Sequence, residues 1–178
     1  MKLIDIDKKR YKKHLNLVSV ALVIGLSVLS LAFGALLIAA FGSNGSEGIT
    51  GEGPTGNFHL NLLGVILAAV ICVMVMIRVK DTPFMTEVYY VWRLKALHNR
   101  IYRRLKAIKA AAKNQDLNAL IILNYYYESL KQVYFLDNNT LTMSKVEKDI
   151  TELHHTIAEH NLTVSLEQFD DEMLKDFN

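Results

Sequence analysis

The stretch LNLVSVALVIGLSVLSLAFGALLIAAF, Leu15 to Phe41, decides the fold. Its 27 residues are mostly Leu, Val, Ala and Ile, and no ionisable side chain occurs between His14 and Glu47. A bilayer core of ~30 Å takes about 20 helical residues to cross, so the run spans with residues to spare and should tilt or protrude. A cleaved signal peptide fits poorly, because the apolar region of such a signal runs about 7 to 15 residues.

A second run, FHLNLLGVILAAVICVMVMI, extends from Phe58 to Ile77, and its only titratable groups are His59 at the start and Cys72. It stops at Arg78 and Lys80, as a stop-transfer boundary does. Lysine and arginine set the orientation, since they resist translocation. Lys2, Lys8, Lys9, Arg10, Lys12 and Lys13 precede the first run, the connector between the runs has none, and ten lie between Arg78 and Lys113. Both termini are therefore expected in the cytoplasm. The domain plan is a basic cytoplasmic segment (1–14), a transmembrane helix (15–41), a flexible periplasmic loop (42–57), a second transmembrane helix (58–77) and a cytoplasmic helical domain (78–178). A single cysteine excludes an intramolecular disulfide and any CxxC site.

Beyond the runs the apolar residues recur at helical spacing. Thr82 and Pro83 carry the signature of a helix start, with a bend expected near Asp81 and Thr82. From there Leu94, Leu97, Ile101, Leu105, Ile108 and Ala112 form one stripe and the basic residues fall outside it. Asp116 is placed to cap a helix from Leu117 to Leu136, along which Leu120, Leu123, Tyr127, Leu130 and Tyr134 form a line. Met143, Val146, Ile150, Leu153 and Ile157 form a heptad-like seam in a third helix near Thr142 to Asn161. Ser165 and Gln168 have capping-box spacing ahead of Phe169, Met173 and Phe177, which predicts a short acidic closing helix. The expected class is all-α: a two-helix transmembrane hairpin followed by an antiparallel cytoplasmic bundle of three main helices plus a short C-terminal helix. Of Tyr125, Tyr126 and Tyr127, one is expected in the core and two at an interface.

Charge within the cytoplasmic part is polarised. Residues 78–113 hold ten basic and two acidic side chains, net +8, whereas residues 114–178 hold four and twelve, net −8. Pairing between the halves of one bundle is the first expectation. Arg93, Arg100, Arg103, Arg104, Lys106 and Lys109 lie close behind the second span, where basic clusters attract anionic lipid head groups or a partner. No nucleic-acid recognition motif accompanies them, so no nucleic acid is expected.

The spans contain no Asp, Glu, Lys or Arg, which argues against a transport path within one copy. Small residues recur at four-residue spacing at Ala21 and Gly25, Ser30 and Gly34, and Gly64, Ala68 and Cys72. Such spacing lets helix backbones approach closely in lipid, within the hairpin or between subunits. Glu152, His155 and Glu159 are the one cluster with metal-ligand chemistry, but a second Glu-x-x-His, which a di-metal bundle needs, is absent from the sequence. No phosphate loop, nucleophile elbow or zinc-type spacing is present. The chain is accordingly expected to be no enzyme and to need no cofactor.

The strings LSLAFG (Leu29 to Gly34), NLLGVILA (Asn61 to Ala68), FMTEVYYVWRLK (Phe84 to Lys95), NALIILNYYY (Asn118 to Tyr127) and DNNTLTM (Asp137 to Met143) carry a resemblance. The chain resembles a family of uncharacterised gammaproteobacterial two-span inner-membrane proteins, known only as a domain of unknown function, from its basic start to about Ile157. The resemblance implies a bacterial inner-membrane location and supplies no activity or catalytic residue. The expected role is a membrane-anchored, non-enzymatic accessory or scaffold protein whose cytoplasmic helices dock on a protein partner or a second copy. A tethered metal-dependent enzyme and a small oligomeric transport subunit are the alternatives.

Overall fold

The computed structural model describes residues 1–42 and 57–177, and among them the chain is helical throughout its regular structure. The α-helices are α1 (Lys8–Phe41), α2 (Phe58–Val79), α3 (Thr86–Lys113), α4 (Leu117–Asp137) and α5 (Met143–Glu159). Two 3-10 segments follow, Leu166–Gln168 and Asp171–Phe177. The connector read between the two apolar runs falls, apart from Gly42 and Asn57, outside the described residues.

The chain divides into two compact units, one formed by Met1–Lys12 with Glu87–Asn178 and the other by Lys13–Thr86. In the second unit α1 and α2 are long and apolar enough to cross a membrane. At 1.5 Å per residue their 34 and 22 residues correspond to about 51 Å and 33 Å. Only 6% and 17% of their most apolar windows are buried in the protein. The first helix also starts earlier than its apolar run, at Lys8. Asp7 caps it, its Oδ1 accepting from the Arg10 amide at 2.8 Å.

The expected start of α3 at Thr82 and Pro83 is corrected. Residues 80–85 form turns, and the helix begins at Thr86. The Thr82 hydroxyl donates backwards to the Val79 carbonyl at 2.7 Å, serving the end of α2, while its own carbonyl accepts from the Thr86 hydroxyl. A threonine can satisfy a carbonyl behind it as well as an amide ahead of it. The bend expected there is present.

In the first unit α4 is the central helix. Asp116 caps it as expected, its Oδ1 accepting from the Ala119 amide at 2.8 Å, and Asn138 ends it at φ 59°, a left-handed conformation asparagine tolerates. The contacts of α3 and α5 with α4 run antiparallel. Lys95 pairs with Asp137 at 2.7 Å and His98 meets Ser129, while Lys131 pairs with Glu147 at 3.2 Å and Asn124 meets His154. The α3 stripe is buried at Leu94, Leu97, Ile101, Ile108 and Ala112, with Leu105 half-buried. The α5 seam is inward, with Val146 and Leu153 buried.

Two details of the C-terminal half differ from expectation. The closing helix is two 3-10 segments. Its capping box is formed, the Ser165 amide donating to Gln168 Oε1 at 2.7 Å, and Leu174 is buried beside Phe169 and Phe177. The three consecutive tyrosines are all buried, so none is left for an outer interface. The ring of Phe169 stacks on Tyr125 with centroids 4.0 Å apart, covering a face of α4 that a three-helix bundle alone leaves open.

Candidate functional site

The exposed face of α3 carries a run of basic side chains. It exists because the apolar stripe turns inward, leaving the positions between its members outside. Arg93, Arg103 and Lys106 are exposed there. The Arg103 guanidinium donates to the Asn99 carbonyl one turn back, at 3.3 Å. Arg100 reaches the acidic tail, pairing with Asp171 at 2.9 Å, and the Lys109 ammonium lies 5.7 Å from the centre of the Tyr127 ring. Arg104 is half-buried. Of the six basic residues singled out in the sequence, Arg93, Arg100, Arg103, Lys106 and Lys109 are therefore exposed, and Arg100 and Lys109 also engage Asp171 and Tyr127.

Two aromatic residues share this face and were not singled out by sequence. Trp92 is 64% exposed and Tyr102 68% exposed. Trp92 stacks on Tyr89, its ring centroid 5.8 Å away and the planes 15° apart. Their signal lay in the periodicity: both fall off the apolar stripe, where large aromatics have no core to enter.

The only acidic residue of α3, Glu87, is absent from the face because it is buried. Arg10 of the N-terminal segment donates to its Oε1 through both Nε and Nη2, a charge-assisted fork. The second oxygen, Oε2, is buried without a hydrogen-bond partner. The same segment is fastened at further points. The Tyr90 hydroxyl donates to the Lys2 carbonyl at 3.1 Å and accepts from the Ile4 amide at 3.2 Å, and Gln132 Nε2 donates to the Ile4 carbonyl at 2.6 Å. Ile6 and Tyr11 are buried, and the Lys8 ammonium sits 4.0 Å above the Phe135 ring. The segment is an integral layer of the unit.

Inside the bundle His98 Nε2 lies 2.7 Å from Ser129 Oγ, a spacing that invites comparison with a nucleophile and its base. The protons run the other way. Ser129 spends its single hydroxyl proton on the Tyr126 carbonyl at 3.0 Å, so His98 Nε2 is the donor. Both residues are buried, and burial lowers the His98 pKa to about 4, helped by the nearby Lys95 charge. The pair is a neutral hydrogen-bonded element of the core. Burial likewise pushes the Tyr126 phenol up to about 12, which keeps it protonated as a donor.

The candidate metal cluster does not converge. Glu152 faces Lys148 at 3.6 Å and His155 faces Glu159 at 3.2 Å, both on the solvent side of α5. Among the described residues no group of three or more His, Cys, Asp or Glu side chains is placed to hold a metal ion. His154, not His155, turns inward, to Asn124 Oδ1 at 3.1 Å.

The small residues of the apolar helices also divide. Gly34 and Gly64 form the close crossing of α1 and α2, and Ala68 beyond it is fully buried. Gly25 has nothing within 4 Å of where a β-carbon would stand. With Ala21 and Cys72 it lines an apolar cleft of about 360 Å³ between the two helices. Ser30 is half-buried.

A family model described as Protein of unknown function (DUF3087) matches residues 1–174. No curated protein and no solved structure matches the chain.

Proposed function

The chain belongs to the DUF3087 family, which brings no activity with it, and we propose that it is a two-span bacterial inner-membrane protein acting as a non-enzymatic accessory or scaffold. One observation carries the topology. The segments on either side of the apolar pair, Met1–Lys12 and Glu87–Asn178, fold into a single unit. A single folded unit occupies one side of a bilayer, so two apolar helices threaded between its parts form a hairpin. The Lys and Arg of both flanks favour the cytoplasm as that side.

The role follows from the character of the helical unit. Inside it Glu87 is bonded to Arg10, His98 to Ser129 and Asn124 to His154. The chemistry it offers outward is a cationic and aromatic helix face. That is the equipment of an electrostatic docking surface held at the membrane.

Gentle detergent extraction followed by affinity capture of the intact protein tests the role. A stoichiometric protein partner is expected to copurify. A clean monomer or homodimer, recovered repeatedly under mild conditions, contradicts it.

A further inference from the structure

Along α3 the positions Trp92, Ala96, Asn99, Arg103 and Lys106 advance by three and four residues, so they lie in one stripe, all exposed. Arg93 flanks the stripe on one side and Tyr102 on the other. No residue of the stripe is acidic, and the one carboxylate of α3, Glu87, falls on the buried side with Leu94 and is bonded to Arg10. Alanines leave the surface low between the charges. The face thus presents positive charge with two large amphipathic rings in water.

We propose that this face binds anionic phospholipid head groups, Arg93, Arg103 and Lys106 meeting phosphate and Trp92 and Tyr102 seating in the interfacial layer. The proposal rests on the reading that α1 and α2 cross the membrane, and it deepens that reading by naming the surface the helical unit meets. Three observations favour lipid over other polyanions. The face is wholly cationic, which complements the negative cytoplasmic leaflet, where each Lys or Arg near the surface strengthens binding about fivefold. Tryptophan and tyrosine are the side chains enriched at the membrane–water boundary, where a ring and its polar tip are both satisfied. Finally, α3 starts at Thr86, seven residues past the end of α2 at Val79, a short tether to the bilayer surface.

Trp92 is the sole tryptophan of the chain, so its fluorescence reports on this face alone. The test uses the full-length protein in nanodiscs of pure phosphatidylcholine and of phosphatidylcholine with phosphatidylglycerol. With the anionic lipid, Trp92 emission is expected to shift to the blue and acrylamide quenching to fall. High salt and the triple variant R93Q/R103Q/K106Q should each abolish the difference while leaving helicity unchanged. Identical, solvent-exposed emission in both discs overturns the proposal. So does protection that arises only on adding single-stranded RNA or polyglutamate. Resistance to alkaline carbonate extraction reads the anchor separately: a carbonate-resistant chain with solvent-exposed Trp92 overturns lipid binding alone, and a carbonate-released chain overturns both.

Discussion

Gly64 and Gly34 meet backbone against backbone: a β-carbon on Gly64 would stand 2.7 Å from the Gly34 amide nitrogen and 3.0 Å from its Cα. Contact this close needs the absence of a side chain on Gly64, whereas a β-carbon on Gly34 would meet the Asn61 side-chain oxygen at 2.8 Å. In lipid, where apolar attraction does not favour helix over acyl chain, such close packing is what holds two spans together.

Replacing Gly64 by alanine is therefore expected to lower the Tm of the detergent-solubilised protein, since an added methyl at a filled contact costs about 1–3 kcal/mol. Gly25 supplies the control. A β-carbon there enters open space, so Gly25→Ala should be neutral or slightly stabilising through helix propensity. Equal losses at the two positions would mean that the crossing is not specific.

The pairing of Arg10 with Glu87, 77 residues apart in sequence, makes a second expectation. Glu87 is buried while the Arg10 side chain is largely exposed, so the two partners are not equivalent. Removing Arg10 leaves a buried carboxylate without its cation; removing the charge of Glu87 leaves an arginine that returns to water. Arg10→Ala should thus destabilise more than Glu87→Gln, by about 1–3 kcal/mol, and adding Glu87→Gln to Arg10→Ala should recover part of the loss. Denaturant titration of the four proteins in one detergent measures it.

Stability should also depend on pH through His98. Its pKa is held at about 4 in the folded protein against an ordinary value of 6.5. Between these values the unfolded chain binds a proton that the folded one refuses, so the contribution is complete above pH 6.5 and is lost as pH falls toward 4. The full difference amounts to roughly 3 kcal/mol. His98→Gln, which keeps a donor toward Ser129, is expected to flatten the decline in Tm between pH 7 and pH 5 relative to the parent protein.

How far such features were legible in sequence depends on how local they are. The two apolar runs, the Asp116 cap, the α5 seam and the Ser165–Gln168 box are each decided within a few residues, and each is found in the structure. Tyr125 to Tyr127 are not local. Tyr125 is covered by Phe169, which folds back onto α4 across more than forty positions, a contact helical periodicity does not encode, while Tyr126 meets the His98 ring edge-on. Thr82 failed as a helix start because its hydroxyl has two directions to choose from and the end of α2 took it. For the exposed face of α3, the positive charges were countable in advance. Trp92 and Tyr102 fall off the apolar stripe and so were readable from periodicity, as was the inward position of Glu87 seven residues before Leu94; its pairing with Arg10, 77 residues away, was not.

The topology is tested most directly by reporter fusions in cells. One fusion is placed at the C-terminus and one between Gly42 and Asn57, each made with alkaline phosphatase and with green fluorescent protein. The account predicts a fluorescent, phosphatase-inactive C-terminus and a phosphatase-active connector, all in the membrane fraction. A phosphatase-active C-terminus, or a protein that stays in the supernatant after ultracentrifugation, would contradict it.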